Sequence, residues 1–398
     1  MARYPQYAPA YDIRINDADL PPVLRSSISG VRYMDGVNAA DRVELSFANA
    51  ELRWLQNHIR GLGFRPFPTG VKIGPIKGPS VVPEGTFDLD NKFSLAMGYA
   101  PDPLEEMFLG EVTGIQASFP NGGMPAMTLV AHDYLNRLAQ GSYARGFGPL
   151  HDALVVMILS AENLLIPLID PTIPALSSAL AAVNIVFNGT GAKQGARCQG
   201  QSDLALLTSI AAKYDADFWV DGNVLYLSRF MKEYTPRLSL TWGESLLDFT
   251  PKVSTVGQVA GVSMKFTLRE LPLNFLVTMY YDFDRETVGI SVVPGEAAAG
   301  AKMFSGPSFT IVDKPISSPA DIANSALVIL SKLRKKLNNR LTGSGSAIGD
   351  PRIRAGAVIR LEGLGPDFSG DYRVASATHS IDGSGYRTSF EVKKEIIP

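Results

Sequence analysis

Apolar and polar residues alternate one for one along segment after segment of this chain, and a period of two is the signature of strands with one face buried. Tyr11, Ile13 and Ile15 alternate with Asp12, Arg14 and Asn16, and Val43, Leu45 and Phe47 with Glu44 and Ser46. The pattern returns at Phe93, Leu95, Met97 and Tyr99, and at Met127, Leu129 and Ala131. It appears again at Val262, Met264, Phe266 and Leu268, and as regularly as anywhere at Tyr386, Thr388, Phe390 and Val392. Turn compositions such as MDG and NGG punctuate the early runs, so many short strands in a barrel or sandwich are expected.

Between the two strand-rich ends the period changes. From Gly148 to Asn188 the chain is rich in Ala, Leu and Ile but interrupted by Pro167, Pro171 and Pro174, which predicts short helices. The most hydrophobic window, Ala153 to Ile169, contains Glu162, Asn163 and Pro167 and falls short of the roughly 20 apolar residues of a membrane span, so it reads as a buried helix. Ser202 is a good N-cap, with Leu204, Leu207, Ile210, Ala211 and Tyr214 at helical spacing behind it. Asp221-Gly222-Asn223 then separates two β-rich runs in the manner of a hairpin turn. The Ala/Gly-rich stretch from Gly295 to Ser308 reads as a loop. A long helix is expected after it, with Ser318 and Pro319 at its start, a stripe of Ile322, Ala326, Ile329, Leu333 and Leu337, and Gly343 at its end. No sustained βαβα rhythm appears, which argues against a doubly wound nucleotide-binding sheet.

The 398 residues allow two to four domains of ordinary size, and 45% hydrophobic against 19% charged residues leaves ample material for a core. A net charge of −2 supplies no basic field for binding nucleic acid. Cys198 is the only cysteine, so an intrachain disulfide is impossible and assembly in a reducing cytoplasm fits. The opening MARYPQYAPAYDIRIN carries tyrosines and prolines where a signal peptide needs a continuous apolar stretch.

Candidate chemistry is sparse. No Walker loop is present, and GSYARGFGPL reads as a linker. His58, His132, His151 and His379 are scattered, without the close pairing of a zinc site. His132-Asp133 and His151-Asp152 suggest dyads, yet neighbours on a strand point to opposite faces. Cys198 has no identifiable base beside it. Asp282, Asp284 and Glu286 read as a solvated strand end, and the basic run from Lys332 to Arg340 as cations complementing a helix C-terminus. No catalytic, cofactor-binding or metal-binding residue is therefore assigned.

Four segments in order, Phe108 to Leu138, Gln201 to Arg229, Leu240 to Phe266 and Gly349 to Lys394, resemble the phage late control protein D family, which includes the central hubs of contractile phage tails. The likeness covers most of the chain and is a pattern of strands and glycines. It implies an α+β, mostly β fold, with two tube-protein-like antiparallel β-barrels joined by a smaller α/β domain. The barrels correspond to residues 1–139 and to residues 237–271 with 340–398; residues 140–236 and 272–339 form the intervening domain. Gly349, Gly363, Gly370 and Gly385 suit turns or close approach, and Tyr372, Tyr386 and Phe390 suit a barrel wall.

The resemblance further implies a homotrimeric baseplate hub that adapts a six-fold inner tube to a three-fold spike around a central channel. Its partners would be itself, the inner tube or tube-initiator protein, a spike and baseplate wedge proteins, with no specific nucleic acid and no stable membrane insertion. It would work in a virion or injection particle assembled in the bacterial cytoplasm. Because the chain stops at Pro398, soon after its final strand, the spike is expected to be a separate polypeptide. Two other classes remain open: a tail-associated cell-envelope glycosidase or peptidase using acids such as Asp282, and a carbohydrate-binding β-protein with exposed aromatics along a groove.

Overall fold

The computed structural model describes residues 8–48, 86–147, 150–178, 197–229, 235–253, 261–268, 274–282, 287–294, 308–316 and 340–394. The N-terminal strands are β1 (Ala8–Ile15), β2 (Ala18–Asp19), β3 (Ile28–Gly36), β4 (Arg42–Ala48), β5 (Lys92–Ala100), β6 (Glu105–Ser118) and β7 (Ala126–Asp133), with a single helical turn, α1 (Pro22–Arg25), after β2. The middle of the chain supplies α2 (Asn136–Ala139), β8 (Tyr143–Gly146), α3 (Asp152–Glu162), β9 (Ile166–Ile169), β10 (Arg197–Gln201), α4 (Asp203–Tyr214), β11 (Asp217–Asp221) and β12 (Val224–Ser228). Strands then resume with β13 (Pro236–Thr241), β14 (Leu246–Val253), β15 (Gly261–Leu268), β16 (Asn274–Asp282), β17 (Thr287–Pro294) and β18 (Ser308–Ile316). The chain closes with β19 (Leu341–Ile348), β20 (Val358–Glu362), β21 (Gly370–Asp382) and β22 (Gly385–Lys393).

The fold is α+β and mostly β. A 13-stranded sheet dominates it, in the order β14-β19-β22-β21-β3-β4-β7-β6-β5-β1-β2, with β20 joining β21 to β13. Alternation along the strands explains the inward face: Val43, Leu45 and Phe47 are fully buried, opposite Ala131, Leu129 and Met127 on β7. Burying each such large side chain stabilises the fold by about 1.5–3 kcal/mol. The C-terminal strands build a second core from Leu240, Ile359, Leu361, Tyr372, Val374 and Phe390. The two strand sets are not independent, because β21 pairs with β3 from Ser376 opposite Gly36 to Asp382 opposite Gly30. Ile381 and Tyr386, from the last strands, accordingly belong to the core of the first ones.

The middle unit packs α3 and α4 on a three-stranded sheet in the order β11-β12-β9, through Val155, Val156, Leu159, Leu207, Ile210 and Phe218 among others. Ser202 caps α4, its Oγ accepting from the Ala205 N–H at 3.2 Å, and β11 and β12 form the expected hairpin. Asn38, at the β3–β4 turn, ties this unit down: its Nδ2 donates to Asp217 at 2.8 Å and its Oδ1 accepts from the Phe218 N–H at 2.9 Å. Arg373 on β21 donates to the same Asp217 carboxylate at 2.6 Å. A separate four-stranded sheet has the order β17-β16-β15-β18. Among the described residues no helix is long and apolar enough to cross a membrane.

Three expectations need correction. The window Ala153 to Ile169 is not one helix: α3 ends at Glu162, Leu164 turns left-handed at φ 60°, and residues 166–169 form β9, parallel to β12. Pro167 offers no N–H to a helix, whereas the Ile166 N–H gains a partner in the Asn223 carbonyl at 2.9 Å. Gly343 does not end a helix but lies inside β19 opposite Pro251, where a Cβ would collide with the Phe249 ring. Ser308 does not belong to a loop; it opens β18. The rest of the late helix, including Ser318 and Pro319, the basic run up to Asn339 and the remainder of the Ala/Gly-rich stretch lie outside the described residues. The segment 237–271 divides, since β13 and β14 join the large sheet while β15 pairs with β16 and β18.

Candidate functional site

The structure keeps the candidate acids and histidines apart. His132 sits on the outer side of β7 with its Nδ1 2.6 Å from the Thr113 hydroxyl, while Asp133 is buried and accepts from the Leu135 N–H at 3.1 Å. His151 contacts the Ser177 hydroxyl at 3.2 Å, whereas Asp152 accepts from Lys213 Nζ at 2.7 Å and the Tyr214 hydroxyl at 2.6 Å. Asp282 ends β16 opposite Thr287 at the mouth of a hairpin; Asp284, Glu286 and His58 lie outside the described residues. Cys198 pairs through its backbone with Arg145 in the β10–β8 ribbon. Among the described residues no three His, Cys, Asp or Glu side chains converge as a metal site would need.

Of the residues singled out for the C-terminal wall, Tyr372, Tyr386 and Phe390 lie on buried strand faces. Gly363, Gly370 and Gly385 adopt φ of 80°, 133° and 111°, and Gly349 lies so close to Tyr386 that a Cβ would collide with its ring. The Gly349 carbonyl also accepts from the Tyr99 hydroxyl of β5 at 3.0 Å, so this corner joins chain segments 250 residues apart.

That corner opens onto a buried polar junction between the two strand sets. Tyr33 and Asp35 share the inward parity of Val31 on β3, and His379 shares that of Ala377 and Ile381 on β21, so the β3–β21 pairing sets His379 directly opposite Tyr33. Arg354, from the loop between β19 and β20, donates through Nε to Asp35 at 2.7 Å and through Nη2 to the Tyr33 oxygen at 2.8 Å. The Tyr33 hydroxyl in turn donates to Asp41 at 2.7 Å, and the Ala355 N–H donates to Asp35 at 2.9 Å. Asp35, which accepts from the guanidinium, has Asp41 and Asp133 as neighbouring carboxylates, and each of the three is over nine-tenths buried.

The electrostatics follow from that imbalance. Burial, together with neighbouring Asp35 and Asp133, pushes Asp41 well above the usual carboxylate range, and burial lifts Asp133 to about 7. Burial opposes the Arg354 charge, yet Tyr33 and Asp35 hold its guanidinium protonated beyond its ordinary value. His379 is fully buried, and burial depresses it to about 4. Its Nε2 lies 2.9 Å from the Ile353 carbonyl, which only accepts, so Nε2 carries the proton. Nδ1 is then the acceptor for the hydroxyls of Tyr386 and Thr388, at 2.9 and 3.0 Å. The arrangement is buried: it satisfies inward-facing polar groups and fastens the two sets of strands within the one sheet.

No protein-family model matches the chain, and no curated protein matches it in sequence. Solved structures do. The 43 kDa tail protein of prophage MuSo2 from Shewanella oneidensis is similar at TM-score 0.59 and 12% identity, over 97% of this chain and 98% of that one. A tail protein from Neisseria meningitidis MC58 gives 0.57 and 9%, over 98% and 97%. The E. coli c3393 protein, a component of the type VI secretion system with structural similarity to the T4 tail proteins gp27 and gp5, gives 0.53 and 10%, over 97% and 80%. The chain therefore has the fold of phage tail proteins, shared with a type VI secretion component.

Proposed function

We propose that the chain is a structural baseplate hub of the late control protein D kind, a homotrimer that joins a hexameric inner tube to a trimeric spike around a central channel. The observation that carries this reading is the junction itself. Strands from both ends of one polypeptide are hydrogen-bonded into a single sheet and fastened by Arg354, Asp35, Tyr33 and His379, so each chain brings two linked strand modules to an assembly. Three such chains present six modules, and closed rings are the usual way repeated contacts saturate. The end-to-end likeness to tail proteins supports the same role. The Tyr33, Asp35, Arg354 and His379 cluster serves rigidity in this reading, and the chain works without turnover. Its place would be the tail baseplate of a virion or injection particle, beside tube, spike and wedge proteins.

Mass photometry of the purified chain, followed by cryo-EM after mixing with tube and spike proteins from the same particle, tests this. Trimers that seed tube growth are expected. A chain that stays monomeric at all concentrations and joins neither partner would overturn the assignment.

A further inference from the structure

The middle unit carries a groove that the hub reading leaves unused. The inner face of the β11-β12-β9 sheet, with Phe218, Leu225 and Leu227, packs on the helices. Residues of opposite parity stand on its outer face. Trp219 and Tyr226 are direct cross-strand partners there, their rings stacked at 5.2 Å and 4°. Leu168 lies opposite Tyr226 on the other side and is 57% exposed. With Asp170, Asp221 and Ser228 these side chains line a cleft of about 500 Å³, inside the range of roughly 300–1,000 Å³ typical of small-ligand sites.

We propose that this cleft binds a neutral, N-acetylated sugar chain. A pyranose has an apolar C–H face and a rim of hydroxyls, and the cleft offers a matching division. The half-buried Trp219 and Tyr226 rings, stacked on each other, leave at most one face of each for the apolar side of a sugar, while exposed Asp221 offers acceptors to sugar hydroxyls. Leu168 supplies an apolar wall against which an acetyl methyl group loses water. Asp170 is held by the N–H groups of Thr172 at 2.8 Å and Arg229 at 3.2 Å, which anchors its carboxylate at the cleft wall. Two carboxylates, with no Lys or Arg among the described lining residues, repel anionic polymers and select an uncharged chain. The two rings stack on each other rather than forming the box that encloses a quaternary ammonium, which favours a sugar over an organic cation.

Tryptophan fluorescence and saturation-transfer NMR on the full chain test the proposal, with the N-acetylglucosamine trimer, a galacturonate trimer and choline as probes. The N-acetylglucosamine trimer is expected to give a saturable change with a Kd on the order of 1 mM, and the other two no change. Trp219→Ala and Tyr226→Ala should each weaken binding by about tenfold or more. Trp219→Phe keeps an aromatic ring and should retain the NMR signal, and Trp242→Phe should leave both signals unchanged. Absence of a saturable response in the wild-type chain, a response that survives Trp219→Ala, or equal binding of choline or galacturonate would each overturn the proposal. None of these results bears on the hub, whose test reads assembly rather than ligand binding.

Discussion

His379 lies fully buried on β21, neutral, with its Nε2 proton given to Ile353 and its Nδ1 facing two hydroxyls. Its folded value of about 4 sits below the ordinary 6.5, so the unfolded chain binds the extra proton first. The stability it contributes is present above pH 6.5 and is lost as pH falls toward 4, by about 3 kcal/mol over the full passage. Asp133 acts with the opposite sign: raised to about 7, it favours the folded state at low pH and that contribution disappears as pH rises through 7. The two slopes oppose each other between pH 4 and 6.5. His379→Gln keeps a donor near Ile353 but cannot titrate there. It should be less stable than the wild type at pH 7.5, with the gap narrowing steadily toward pH 4.5 in urea titrations; a gap independent of pH would refute this account. The parity that makes these residues a site was legible in the chain. A carboxylate in phase with Val31 and Tyr33, and a histidine in phase with Ala377 and Ile381, are polar groups on an inward face, which require partners. That Arg354 is the partner of Asp35, 319 residues away, was not legible, because no local periodicity encodes a contact made by a loop.

Among the elements, α4 is the one whose start and buried stripe both follow from local residues. Ser202 accepts the Ala205 N–H, and Leu207, Ile210 and Tyr214 face the middle core. Ser202→Ala should destabilise the middle unit by about 1 kcal/mol, read as a lower urea midpoint with an unchanged slope; no shift in the midpoint would mean that packing alone sets the helix start. Two elements defeated local reading for a shared reason. The apolar residues of β9 have the composition of a buried helix, and only pairing with β12 decides that they are extended. Gly343 has the chemistry of a helix stop, but at its position glycine makes room for the Phe249 ring of a neighbouring strand.

At the scale of the molecule, β3 and β21 join what would otherwise be two sets of strands. Cooperative opening should therefore involve both. In native-state hydrogen exchange, amides of β4 and of β22 are expected to share one opening free energy, since the core of the first set includes Ile381 and Tyr386. Exchange in β22 faster than in β4 by about a hundredfold or more would mean that the junction does not couple them. The strand-rich ends, the α4–hairpin unit and the inward faces of β4, β5, β7 and β22 were determined by the sequence itself, because each depends on the period of neighbouring residues. The continuity of the large sheet, the Arg354 junction, the β15–β18 sheet and the Trp219–Tyr226 groove were decided only by tertiary structure. Each of them depends on which distant segments meet, and a linear pattern of apolar residues states that a face is buried without stating what buries it.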